Sequence, residues 1–415
     1  MKPTITIIGA GISGLSAGLH LHRKGFTVKI IEASDRVGGR IKTDIVDGFR
    51  LDQGFQVLLT SYPEAKMLLD YDALELKTFL PGAKVLYDGG QFEIADPFRR
   101  PSALLATVFA PVGSLKDKFN TFILKNKLIA KSVEGIFAQP QKSSLEQLGD
   151  YGFSTKMINR FFKPFFSGIF LENNLATSNR MFDFVMKMFS EGDAAIPALG
   201  MEEIPKQLAK QLPEQAFLFN TKVVDIQANT IITTTGEQIQ SDIIIVATEA
   251  TALISKYKTT TETKHHSVTN VYFEAKVAPS NKAVVILNAS EKDKIVNNLT
   301  VMTNVSTAYA PAGKVLISVS CNGMLDFNDQ ELTQKIKTEL QPWFGNQVED
   351  WSHIKTYKVK YALPQLAVLK DDLTITDMKI SNNLYCCGDH LMNGSINAAM
   401  KSGRLVADLI AKEHE

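Results

Sequence analysis

Six residues near the N-terminus, Gly9-Ala10-Gly11-Ile12-Ser13-Gly14, set the narrowest limits on what this chain can fold into. Before them, Ile5, Ile7 and Ile8 form a β-branched run suited to a buried parallel strand. After them, Leu15, Leu19 and Leu21 read as a helix that stops at Gly25. Phe26 to Ile31 then reads as a second strand ending on Glu32, so the segment opens a βαβ unit and the fold class is α/β. The glycines have separate tasks. Gly9 permits the tight turn, Gly11 lets backbone N–H groups approach a pyrophosphate, and Gly14 lets the helix pack closely on the strand. Ile12 and Ser13 begin the helix, whose positive end suits a phosphate. Glu32, at the end of the second strand, can accept hydrogen bonds from a ribose hydroxyl. The competing interpretation, a plain strand-to-helix turn, leaves the acid at that distance unexplained.

Directly after Glu32 comes Ala33-Ser34-Asp35-Arg36-Val37-Gly38-Gly39-Arg40. Beside a phosphate site, two glycines and two arginines add donors and positive charge; standing alone they would read as a β-turn with solvated arginines. Far downstream, Leu384 to Cys387 reads as a short buried strand, followed by Gly388-Asp389, a loop to Ser395, and a helix from Ile396 to about Ile410. A carboxylate at such a strand end can take the hydroxyls of a ribityl chain. A helix N-terminus near Ser395 can stabilise negative charge on a reduced ring. A simple capped helix is the alternative.

Composition excludes several classes. With 415 residues the chain is long enough for two or three domains. At 45% hydrophobic and 21% charged it is neither disordered nor a small disulfide-stapled scaffold. A formal charge of +1 gives no global field for nucleic acid. Cys321, Cys386 and Cys387 offer no disulfide framework and no metal spacing, which fits a reducing cytoplasm. The apolar stretch Thr4 to Leu21 is interrupted by four glycines and reads as strand and turn, not as a membrane span or a leader. Oligomeric state is left open.

Taken together, GAGISG, EASDRVGGR and LYCCGDHLMNGSINAAMKSGRLVADL resemble the superfamily of flavin-containing amine oxidases, protoporphyrinogen oxidases and phytoene desaturases. The resemblance covers roughly residues 4–60 and 380–412. Phe161 to Phe170, Gly200-Met201 and Tyr361 to Gln365 are more similar to the desaturase and porphyrinogen-oxidase branch. It implies a noncovalent FAD, because no cysteine matches the covalent attachment of monoamine oxidases. It also implies that Glu32 binds the adenosine ribose, and that Arg36, Gly38, Gly39 and Arg40 line the pyrophosphate and ribityl region. Gly388, Asp389, Ser395 and Ile396 would meet the flavin from the C-terminal side. Asp52 to Phe55 resembles the segment facing the isoalloxazine, with Gly54 kept and Phe55 in place of a second small residue. Val223 matches a position whose backbone contacts adenine.

The architecture implied is a Rossmann-type, glutathione-reductase-like FAD-binding domain with a second, mixed α+β substrate domain inserted. The first would comprise residues 1–76, 201–251 and 376–415, and the second 77–200 and 252–375. The chemistry implied is removal of two hydrogens from a lipophilic or conjugated small molecule, with hydride passing to flavin N5. A flavin amine oxidase and a non-redox FAD-dependent isomerase or scaffold are the alternatives. Gln56, Tyr361 and His390 are candidates to line the active site; no residue is singled out as catalytic. His265-His266 reads as loop without metal-like spacing.

Nine of the 24 phenylalanines fall between Phe153 and Phe189, with four methionines among them. Most suit a helical core, while a few can line a pocket for a large flat molecule. Residues 97–142 carry Arg99, Arg100 and six lysines against Asp117 and Glu134. That stretch reads either as a solvated helical face or as a peripheral membrane contact.

Overall fold

The structure is a computed structural model that describes residues 2–96, 99–248, 251–254, 257, 264–292 and 294–414. A five-stranded, all-parallel sheet is built from Phe217–Leu218, Thr27–Ile31, Thr4–Ile8, Ile243–Val246 and Leu384–Cys386, in that spatial order. Its central strands are near-continuous apolar runs because both faces are covered. On one face Ile5, Ile7, Ile243 and Ile245 pack under the helix Ile12–Arg23. On the other, Ile8, Ile31, Ile244 and Val246 meet Ile226, Ile231 and Ile239 of a small antiparallel sheet. The long helix Ile396–His414 lies against Ile12–Arg23, so closely that a Cβ on Gly403 would fall 2.4 Å from the Ser13 carbonyl oxygen.

A second sheet has seven strands, in the order Ser352–Pro364, His265–Ala275, Val315–Asn322, Asn298–Val301, Val285–Asn288, Gly82–Tyr87 and Gly90–Ala95. All its pairings are antiparallel except that between Val285–Asn288 and Gly82–Tyr87. Side chains alternate between the faces with the period-2 geometry of a strand. Val271, Phe273, Ile317 and Val319 turn to the helix Asp329–Phe344, whereas His266, Val268 and Ser320 turn to a large cavity. Helices between Leu104 and Glu191 close the cavity from the other side.

Residues 77–200 are thus helix-rich but also supply a hairpin to the seven-stranded sheet. His265 and His266, read from the sequence as loop, instead begin a strand paired with Pro364 and Leu363. Among the described residues no helix is long and apolar enough to cross a membrane.

Candidate active site

The cavity has a volume of about 1320 Å³ and runs between the C-terminal ends of the parallel strands and the seven-stranded sheet. Gly9, Gly11, Ile12, Ser13, Glu32, Gly38, Gly39 and Arg40 all border it, as do Gly54, Phe55, Gly388, Asp389, Ser395 and Ile396. Gln56, Tyr361 and His390 border it as well. Segments more than 340 residues apart therefore share one wall.

The two glycine loops are laced together. Gly38 N–H donates to the Ala10 carbonyl at 2.9 Å, and a Cβ on Gly39, which has φ +60°, would lie 3.1 Å from Gly11 Cα. Side chains are excluded there, leaving a bare backbone cradle. The helix beginning at Ile12 has Gly11 as its N-cap, with no side-chain cap and no acid in its first turn. Its end at the cavity thus retains the positive character that an anionic phosphate requires. Glu32 accepts Ala10 N–H at 2.8 Å and the Ser34 N–H and hydroxyl at 2.9 and 2.7 Å. These donors pin the carboxylate at the cavity edge.

Arg40 links the two ends of the chain by pairing with Asp389, and it also donates to the Ala362 carbonyl at 3.3 Å. Gln56 Nε2 donates to the Arg40 carbonyl at 3.1 Å, while Gln56 Oε1 is buried without a partner. A buried acceptor left unmatched is costly, and at the cavity wall it fits a ligand N–H such as a flavin ring offers. Ser395 Oγ accepts the Ala398 N–H at 3.0 Å and so caps the long helix whose start borders the cavity. The bare cradle, the uncapped helix end and this orphaned acceptor all suit a dinucleotide carrying a polar ring.

Two expected residues, Arg36 and Val223, stand elsewhere, and Gly14 does the packing expected of it without bordering the cavity. Arg36 is not at the wall, contrary to its expected place beside the pyrophosphate. Its guanidinium is held by Glu202 at 2.7 Å and Asp44 at 2.6 Å, two carboxylates that outcompete a more distant anion. Val223 lies on the small antiparallel sheet and is absent from the cavity wall. Gly14 faces away from the cavity: a Cβ there would fall 2.0 Å from the Gly9 carbonyl oxygen, so it serves close packing of helix on strand.

Sequence reasoning missed the support beneath Gly54 and Phe55. Asp52 is 1% exposed and accepts the Thr43 hydroxyl at 2.5 Å, the Met201 N–H at 3.0 Å and the Tyr309 hydroxyl at 2.8 Å. Tyr272 donates to its carbonyl at 2.9 Å. Burial, only partly offset by these donors, pushes the Asp52 carboxyl up to about 6. His266 and Val268 on the cavity floor were missed too; residues 266–272 do not alternate strictly, and only the β-branched and aromatic content of Val268, Thr269, Val271, Tyr272 and Phe273 signals a strand. Burial lowers the His266 imidazole below its usual range, opposed by Glu172.

Farther from the glycine loops the wall becomes aromatic. Phe161, Phe165, Phe170 and Phe189 border the cavity with Met157, Met181 and Met186, while Phe162, Phe166, Phe182 and Phe184 are fully buried behind them. Much of the basic run is spent on ion pairs: Arg99 with Asp193, Arg100 with Glu93 at 2.5 Å, Lys125 with Asp96, and Lys142 with Asp150. Residues 97 and 98 of that run lie outside the described residues. All three cysteines are buried and none borders the cavity. Burial pushes the Cys321 and Cys387 thiols far above their usual range. A colorimetric disulfide reagent is therefore expected to find no reactive thiol in native protein and three after denaturation; rapid native labelling would contradict this burial.

Comparison with known proteins agrees with this geometry. A structure described as a putative protoporphyrinogen oxidase from Exiguobacterium sp. 255-15 superimposes with a TM-score of 0.72 at 16% identity, covering 100% of this chain and 99% of that one. Protoporphyrinogen oxidase 2 of Arabidopsis thaliana is 26% identical over 168 residues, 40% of this chain and 32% of that protein. The 1-hydroxycarotenoid 3,4-desaturase of Flavobacterium sp. is 27% identical over 191 residues, 44% and 36% of the two chains. The match thus spans about a third of the length of these curated relatives. The family profile for flavin-containing amine oxidoreductases matches residues 12–411. With FAD as its cofactor, the chain accordingly belongs to the family of flavin-containing amine oxidoreductases.

Proposed function

We propose that the protein removes two hydrogens from a lipophilic or conjugated small molecule bound in the aromatic part of the cavity. The division of labour follows the sequence reading. Residues 1–76, 201–251 and 376–415 form a Rossmann-type domain that holds FAD, and 77–200 with 252–375 form the inserted substrate domain. FAD, when bound there, would supply the two-electron acceptor for the removed hydride. The glycine loops and the Ile12 helix end hold the pyrophosphate, and Glu32 holds a ribose. Arg40 and Asp389 fix the ribityl end, and Gln56 orients the ring. The aromatic and methionine side chains bind the substrate and exclude water.

One observation carries this reading: a polar cradle built from both ends of the chain opens into the same cavity as the phenylalanine wall. Each of the five carboxylates at the wall is already engaged by protein donors or cations, which leaves none dedicated to an ammonium and favours a neutral substrate. Asp96, Asp193 and Asp389 are paired with cations. Glu32 accepts backbone and hydroxyl donors, and Glu172 accepts the Asn174 and Thr177 N–H groups at 2.6 and 3.2 Å. The same reading has the substrate arrive from a lipid phase.

Purified protein is expected to be yellow and to lose its visible absorbance anaerobically with porphyrinogens or carotenoid precursors but not with amines. Bleaching by amines with peroxide release would replace this reading with amine oxidation. A flavin that stays oxidised with every donor would favour a non-redox role.

A further inference from the structure

A surface helix ordinarily turns one apolar stripe to the core and polar side chains to water. The helix Leu115–Ile129 turns apolar side chains both ways. Leu124 and Leu128 are buried, whereas on the solvent side Leu115 is 72%, Phe119 61% and Ile123 49% exposed. The preceding helix, Leu104–Phe109, adds Leu105 at 69% and Phe109 at 79%. Single exposed apolar residues are ordinary, but a cluster on two neighbouring helices marks an interaction surface.

Charge narrows the partner. Residues 101–129 contain Lys116, Lys118, Lys125 and Lys127 against a single acid, Asp117. Asp117 is 1% exposed, accepting the Ser114 hydroxyl at 2.7 Å and the Ser154 N–H at 2.7 Å. The solvent side of these helices therefore offers aromatic and aliphatic groups with exposed Lys116 and Lys127, and no carboxylate.

The patch is continuous with the cavity, because Leu104, Val108 and Phe122 are both exposed and part of its wall. Lys118, also at the wall, donates to the Val108 and Ala110 carbonyls and straps the two helices together beside this opening.

We infer that the solvent faces of Leu104–Phe109 and Leu115–Ile129 dock on an anionic lipid bilayer, setting the cavity mouth against the leaflet. The apolar side chains sit at the headgroup boundary and the lysines among the lipid phosphates. A lipophilic molecule then passes between the helices without crossing water. The inference rests on the proposed substrate class for its purpose, but on exposure and charge for its location.

Vesicle flotation of the holoprotein tests it, using phosphatidylcholine with and without phosphatidylglycerol. Wild type is expected to float with the anionic vesicles and to remain unbound with neutral ones. A Phe109→Ser/Phe119→Ser variant should lose at least about tenfold in bound fraction, and Lys116→Glu/Lys127→Glu should lose the preference for anionic lipid. None of the four positions borders the cavity, so flavin absorbance should match wild type and show that the variants are folded. Failure of wild type to float, or equal flotation by the Phe variant, overturns the inference. So does a dimer on gel filtration that Phe109→Ser/Phe119→Ser converts to monomer, which would assign the patch to a second copy of the chain. Yellow protein that is bleached by a lipophilic donor but ignores vesicles overturns docking alone. Colourless protein that floats overturns the FAD reading alone.

Discussion

Gly14→Ala is expected to yield protein that purifies nearly colourless. A single methyl group there would lie 2.0 Å from the Gly9 carbonyl oxygen and 3.2 Å from Ala247 Cβ. The first of these is rigid backbone, so the turn itself must open. Overpacking of this kind costs about 3 kcal/mol; if the displaced turn passes that cost to the cofactor, flavin affinity falls about a hundredfold. The ratio of flavin to protein absorbance after gel filtration measures it. Gly149→Ala is the control, because that glycine sits in the helix Ser144–Asp150 with nothing within 4 Å of the new methyl. It should keep its flavin and gain up to about 1 kcal/mol of stability from helix propensity. Full flavin content in Gly14→Ala would show that the turn yields more easily than this packing allows.

The second large effect is expected at Asp52. Truncation by Asp52→Ala strands the Thr43 hydroxyl, the Met201 N–H and the Tyr309 hydroxyl in a dry site, at about 4 kcal/mol in total. The pH dependence is more diagnostic. The carboxyl has a raised value in the folded state, about 6 against 3.8, so between those values the native protein binds more protons than the unfolded chain. Native stability from this group is therefore full at acid pH and is lost as pH rises through 6, by about 3 kcal/mol. Asp52→Asn removes the titration. Urea midpoints of wild type and Asp52→Asn, compared from pH 4 to 7, should diverge in wild type's disfavour as pH rises. Parallel curves would mean that Asp52 titrates near its ordinary value.

These two positions also show what was legible in the sequence. Gly14 could be assigned its task because the constraint is local: a strand, a turn and a helix lie within a few residues, and only backbone is involved. The same holds for the tight turn at Gly9, where φ is +108°. The carboxylate partners of Arg36 were not legible, because an arginine beside a glycine pair reads the same whether its partner is a phosphate or a carboxylate, and Glu202 is 166 residues away. The support around Asp52 was invisible for a similar reason, since Met201, Tyr272 and Tyr309 are brought to it by tertiary packing alone. The basic run from 97 to 142 overlaps the surface inferred to meet a bilayer, but through other residues. Half of its eight cations, Arg99, Arg100, Lys125 and Lys142, are paired with acids, while the distinguishing feature is apolar exposure on two helices, which no one-dimensional charge count reveals.

The five-stranded parallel sheet has a temporal consequence. Ile5 pairs with Ile243, and Ile244 in turn pairs with Leu384, so its first and last strands are made far apart in time at ordinary translation speeds. During synthesis the Thr4–Ile8 strand must wait unpaired on one edge until residues 243–246 leave the ribosome. The prosthetic group cannot find a finished berth until Asp389 has followed. Loading must then be nearly the last event of maturation, and a nascent chain stalled before residue 384 should be an apoprotein with a bare sheet edge, a natural client for chaperones.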